Sequence, residues 1–116
     1  MESINDLLAN FLQLNGVTGA AIIGRDGFVI ESSMENETNI DALGAMVATS
    51  FVAAEELSAE FNLGSLDNYL SEFSEGKVFM ISVNDDILAI FTESNAVIGS
   101  IRYATKKSLP NIISSL

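Results

Sequence analysis

Two apolar, β-rich runs meet at Asp26-Gly27, and this junction constrains the fold more than any other stretch of the chain. The first run is Gly16-Val17-Thr18-Gly19-Ala20-Ala21-Ile22-Ile23-Gly24-Arg25, and the second is Phe28-Val29-Ile30-Glu31-Ser32-Ser33. Asp-Gly between such segments signals a hairpin, because a type I′ turn needs positive φ at both central residues. The expectation is a pair of strands near 18–24 and 28–33, followed by a polar loop from Met34 to Asn39.

Helical periodicity flanks the hairpin on both sides. Over residues 3–15, Ile4, Leu7, Leu8, Phe11 and Leu12 follow the i, i+3, i+4 rule. Ser3 and Asp6 are placed as a capping box, and Gly16 sits where a helix end wants positive φ. A second, longer helix is predicted from Ile40 to Leu63, capped by Thr38 or Asn39 and closed by Gly64. At 100° per residue, Leu43, Met46, Val47, Ser50, Ala54, Leu57 and Phe61 make one apolar stripe, which is expected to face a sheet. The other side is unusual: Gly44, Ala45, Ala48, Thr49 and Val52 are small and uncharged before Glu55, Glu56 and Glu60 appear. A helix lacking charge all round is usually buried all round, so a second helix or subunit is expected to cover it.

Three strands and a helix complete the reading. Leu66 to Ser74 has strand length between Gly64 and Glu75-Gly76 and is read as an edge strand. Lys77 to Asn84 and Ile87 to Thr92 are apolar on both faces, as central strands covered by helices are, with a tight turn around Asn84-Asp85-Asp86. A last helix starts after Ser94 or Asn95, with Val97, Ile98, Ile101, Ala104, Thr105, Ser108 and Ile112 inward. Pro110 is expected to end or kink it. The order is therefore helix, strand, strand, helix, strand, strand, strand, helix, a single α/β (α+β) domain over residues 1–116.

Composition narrows the function classes. With 48% hydrophobic residues in 116, the chain is too apolar to be disordered and long enough to build a core. Sixteen acids against five bases give a net charge of −11, which repels a phosphate backbone and an anionic membrane. The uncharged apolar run Ala42 to Ala54 falls short of the roughly 20 residues that span a bilayer. Met1-Glu2-Ser3 is not a signal-peptide start, and the chain has no Cys, so a cytoplasmic location is expected. The absence of His as well removes Ser-His-Asp, Cys-His and His-rich metal sites, so no catalytic residue, metal or cofactor is expected. Gly76-Lys77 is followed by Val78 with no Gly five residues before it, so there is no P-loop. Asp85-Asp86 lie in a turn, where acids are solvated. Asn36-Glu37-Thr38 matches a glycosylation sequon, which a chain without signs of secretion carries by chance.

The order and four local features resemble the roadblock/dynein light chain 7 family. They are Gly16-Val17-Thr18-Gly19-Ala20 after the first helix, Arg25-Asp26-Gly27-Phe28-Val29-Ile30, the Ala-rich second helix, and Asn95-Ala96-Val97-Ile98-Gly99 opening the last. The resemblance implies a roadblock/profilin-like fold: a five-stranded antiparallel sheet, one long helix on one face and two terminal helices on the other. It also implies a homodimer with long helices side by side and edge strands paired. The partner class it implies is a small Ras-like GTPase, bound without a residue of the regulator entering the chemistry.

On that basis Gly44, Ala48, Phe51 and Glu55 on one flank of the long helix, with Tyr69 on the edge strand, are expected at the dimer interface. Ala45, Thr49, Val52 and Glu56 are expected to meet the GTPase. An Ala48→Glu substitution is then expected to split the dimer. Arg25 on the hairpin shoulder could act as an arginine finger, though a solvated charge is the usual occupant of such a place. Arg102, Lys106 and Lys107 are read as complementing the last helix's C-terminal dipole. Two other function classes fit the same residues: a structural adaptor that leaves nucleotide turnover unchanged, and a small-ligand sensor with a cavity between sheet and helix.

Overall fold

Ser3 starts the first helix as its spacing requires. In the computed structural model, which describes residues 2–116, the Ser3 hydroxyl accepts from the Asp6 N–H and the Asp6 carboxylate accepts from the Ser3 N–H. Helix α1 spans Ile4–Phe11, shorter than the periodic run, because the chain turns through Leu12 to Gly16 (φ +87°) into the first strand.

The strands β1 (Val17–Gly24), β2 (Val29–Met34), β3 (Tyr69–Phe73), β4 (Gly76–Val83) and β5 (Asp86–Thr92) form one antiparallel sheet in the order β2-β1-β5-β4-β3. The long helix α2 (Ile40–Glu60) covers one face, while α1 and α3 (Ile98–Ser115) cover the other. This is the five-stranded roadblock/profilin-like architecture expected. Alternation along the strands feeds two cores. Ala20, Ile22, Ile81, Leu88 and Ile90 meet Leu8, Phe11, Ile101 and Ile112, while Ala21, Ile23, Met80, Ile87 and Ala89 meet Leu43, Val47 and Phe51.

Several expectations are corrected. The hairpin turn is not type I′: Gly27 is left-handed (φ +91°) but Asp26 is not. The Gly24 carbonyl accepts from the Gly27 N–H at 2.9 Å, and the register shift between Ile22 and Ile23 makes a bulge on β2. A turn followed by a left-handed glycine and a bulge is the commoner solution for a loop longer than two residues. Helix α2 ends at Glu60 rather than Leu63. Asn62 (φ +57°), not Gly64, is the left-handed residue that closes it, with the Leu63 N–H donating to the Ser58 carbonyl at 2.9 Å.

Pro110 neither ends nor sharply bounds α3, which runs on to Ser115. The bond it cannot donate would go to the carbonyl of Lys106; both residues are exposed, so water can take that acceptor. Val97 is the N-cap and points outward, leaving Ile101, Thr105 and Ile112 as the buried face.

The last correction is the rotation of α2. Its buried residues are Leu43, Gly44, Val47, Ala48, Phe51 and Ser58, whereas Met46, Leu57 and Phe61 of the expected stripe are 64%, 56% and 64% exposed. The reason is steric. A Cβ on Gly44 would run into the Gly27 carbonyl oxygen and come within 2.8 Å of Val29 Cγ2, so the helix rests its smallest residues on the hairpin. Close approach selects small side chains and turns the bulky ones away.

Candidate functional site

The outer surface of α2 is the feature that distinguishes this subunit. Ala42, Ala45, Met46, Thr49, Ala53 and Leu57 are all exposed and uncharged; Asp41 in the first turn and Glu56 and Glu60 in the last turns carry the charge of the exposed side. Thr49 turns its hydroxyl back to the Ala45 carbonyl at 2.8 Å, so even its polar atom is satisfied within the helix. An exposed, uncharged strip of this kind is a candidate protein-contact surface.

The side of the helix toward β3 is the more apolar. An open groove of about 440 Å³ runs between α2 and the sheet, lined by Leu43, Met46, Val47, Phe73, Val78 and Phe91. Phe73 is 65% exposed and lies on the edge strand β3, which pairs only with β4. Tyr69 is on the same strand, half-buried and packed against the α2-side core. The opposite flank is different. There Ala45, Thr49, Val52 and Glu56 share an open depression of about 460 Å³ with the hairpin residues Arg25, Asp26 and Gly27. The four residues expected to bind a partner are therefore brought together on one surface.

The residues expected at the dimer interface are not. Gly44, Ala48 and Phe51 face their own hairpin and sheet, Ala48 at 5% exposure and Phe51 at 0%. Glu55 is bound to Arg25 within the subunit. The rotation of α2 is the cause: the flank assigned to a second subunit is already covered by the first. Of the five, Tyr69 alone remains on an edge.

Arg25 is also reassigned. Its Nε and Nη2 donate to the two Glu55 oxygens at 3.0 and 2.9 Å, and Nη2 reaches Ser82 Oγ at 3.2 Å. The guanidinium also lies 5.6 Å from the Phe51 ring centre. Arg25 thus ties the β1–β2 hairpin to α2 and to β4, and a side chain so held is not a free finger. The hydrogen bond to Glu55 raises the Arg25 pKa against the opposing effect of desolvation, and the charges of Glu55, Asp85 and Asp86 raise it further. The folded value lies above the unfolded one, so the titration of Arg25 itself removes this contribution only in strong alkali. Both side chains are about a third exposed (31% and 34%), which limits the energy. Arg25→Met and Glu55→Gln should each cost about 1 kcal/mol, with a coupling of about 0.5–1 kcal/mol in a double-mutant cycle. Urea denaturation checks this, and zero coupling would mean the pair is ornamental. Sequence reasoning missed the pair, although a bidentate partner for one of only two cations before residue 100 could have been sought among the acids of α2.

Comparison with known proteins places this geometry. The Roadblock/LC7 domain model matches residues 3–92. An uncharacterized protein of Methanocaldococcus jannaschii is 32% identical over 113 residues, covering 97% of this chain and 96% of its own length. The solved Roadblock/LC7 domain from Streptomyces avermitilis superposes with a TM-score of 0.83 at 15% identity, over 98% of this chain and 94% of that one. Myxococcus xanthus MglB superposes with a TM-score of 0.87 at 16% identity, over 96% and 92%.

Proposed function

The chain belongs to the Roadblock/LC7 domain family, and on that premise we propose that it is a non-catalytic homodimer of the cytoplasm that binds and regulates a small Ras-like GTPase. One observation carries the reading: the outer face of α2 exposes Ala42, Ala45, Met46, Thr49 and Ala53, all uncharged, on a chain of net charge −11. The strip of Met46, Leu57 and Phe61 beside the open edge of β3 forms the seam between two copies. The depression holding Ala45, Thr49, Val52 and Glu56 meets the GTPase. The partner class comes from the family resemblance; the surfaces come from the exposure pattern. No group of the chain enters the chemistry, so regulation acts by reshaping the GTPase's own residues.

The test is GTP hydrolysis by a candidate GTPase with and without the protein, paired with a binding measurement. Binding with altered turnover supports a regulator. Binding with unchanged turnover makes the protein an adaptor, and no binding by any small GTPase tested removes this partner class. Thr49→Glu should weaken binding by roughly tenfold or more, because a carboxylate would be desolvated beside Glu56.

Charge gives a further expectation for the dimer. Two subunits of −11 repel, and this repulsion is screened over about 10 Å at 0.1 M salt. Dimer affinity should therefore rise as salt increases from about 10 to about 150 mM. Sedimentation equilibrium measures it, and a fall in affinity would indicate that ion pairs across the seam dominate.

A further inference from the structure

Charge is segregated along this chain in a way that the α2 surface does not use. Every acid lies at or before Glu93, while residues 94–116 contain no acid and hold Arg102, Lys106 and Lys107, three of the five cations. All three are exposed, and the sole ion pair among the described residues is that of Arg25 with Glu55. The dipole explanation fails for them. Helix α3 runs to Ser115, with no basic residue in its last turn, and helix-end electrostatics fade within one turn. Three cations without an ion-pair partner thus stand on one helix of a strongly acidic protein, Arg102 with its guanidinium 5.8 Å from the Phe79 ring centre.

Their surroundings are those of a surface rather than of a solvated stripe. Tyr103 lies among them and is 70% exposed. Beside it is a shallow depression of about 700 Å³, lined by Leu14, Ser100, Tyr103, Ala104, Lys107 and Ser108. Gly99, at its rim, has open space where a Cβ would stand. The opposite side of α3 is anchored by Ile101, Thr105 and Ile112, so the outer face is held in a fixed orientation.

We propose that the outer face of α3 docks an acidic segment of another protein. Carboxylates of that segment pair with Arg102, Lys106 and Lys107, and an apolar side chain seats between Leu14 and Tyr103. Charge complementarity selects the occupant. A nucleic acid or an anionic membrane would have to approach the sixteen acids of the same small body as well, whereas a short segment meets α3 alone. The surface lies on the sheet face opposite α2, so it does not depend on the dimer or on the GTPase reading.

The probe is a short acetylated peptide of Asp and Glu around a central Leu-Phe pair, titrated into the ¹⁵N-labelled full chain. Amide shifts should concentrate at Leu14 and residues 97–108, and affinity should fall about tenfold between about 50 and about 300 mM salt. Lys106→Glu with Lys107→Glu should abolish the shifts, and the Gln pair should weaken them with an unchanged fold by circular dichroism. An equal response to the peptide with Asn and Gln in place of its acids, shifts centred on α2, or no shifts at all would each overturn the proposal. So would α3 shifts with phosphatidylserine vesicles and none with the peptide.

Discussion

Met46→Glu combined with Leu57→Glu should yield a folded monomer. Both side chains are mostly exposed in the subunit, at 64% and 56%, so carboxylates there leave folding stability within about 0.5 kcal/mol of the original. In a dimer seam the same groups lose water without gaining a partner, at about 3–5 kcal/mol for an uncompensated buried charge. A two-fold axis repeats each substitution, so the dimer constant should weaken by at least about a thousandfold. Light scattering reads the mass, and thermal unfolding confirms the fold. Ala48→Glu, which the sequence suggests as a dimer breaker, tests something else: Ala48 is buried inside its own subunit, and its substitution should unfold the chain.

The second large effect sets two helical glycines against each other. Helix propensity alone says that Gly→Ala stabilises by about 1 kcal/mol at either. At Gly99 nothing lies within 4 Å of the added Cβ, so Gly99→Ala should gain several tenths of a kcal/mol up to about 1. At Gly44 the Cβ meets the Gly27 backbone, which has no rotamer to give way, and Val29 Cγ2 at 2.8 Å. Overpacking against backbone typically costs about 1–3 kcal/mol and exceeds the propensity gain, so Gly44→Ala should lose about 1–2 kcal/mol net. Opposite signs in urea melts support the hairpin as the seat of α2. Equal stabilisation would mean that the helix lifts off freely.

Those two glycines also mark how far the sequence is readable. Element order, the Ser3–Asp6 capping box, a cap at Thr38 or Asn39 (it is Asn39) and the edge position of β3 were all legible, because local chemistry decides them. The rotation of α2 was not. Periodicity located an apolar stripe through Met46, Leu57 and Phe61, but a helix that must touch a hairpin buries Gly44 and Ala48 instead, and that contact is between residues distant in sequence. The same holds for Arg25, whose partner lies thirty residues away. Pro110 does not end α3: it and Lys106 are exposed, so water can take the carbonyl that the missing N–H leaves free. Of the site, the sequence grouped Ala45, Thr49, Val52 and Glu56, which share one depression, whereas the burial of Gly44, Ala48 and Phe51 under the hairpin was not legible.

The exposed face of α2 as a protein-covered seam is the claim on which the rest stands, and the chain's lack of cysteine makes it directly testable. The strip from Met46 to Leu57 is centred near Ser50 and Ala53, which a two-fold axis through it would bring close to their mates. Under mild oxidation Ala53→Cys should form a disulfide-linked dimer, while Ser114→Cys on the opposite layer should remain reduced. No crosslink at Ala53, or equal crosslinking at both sites, would contradict the account.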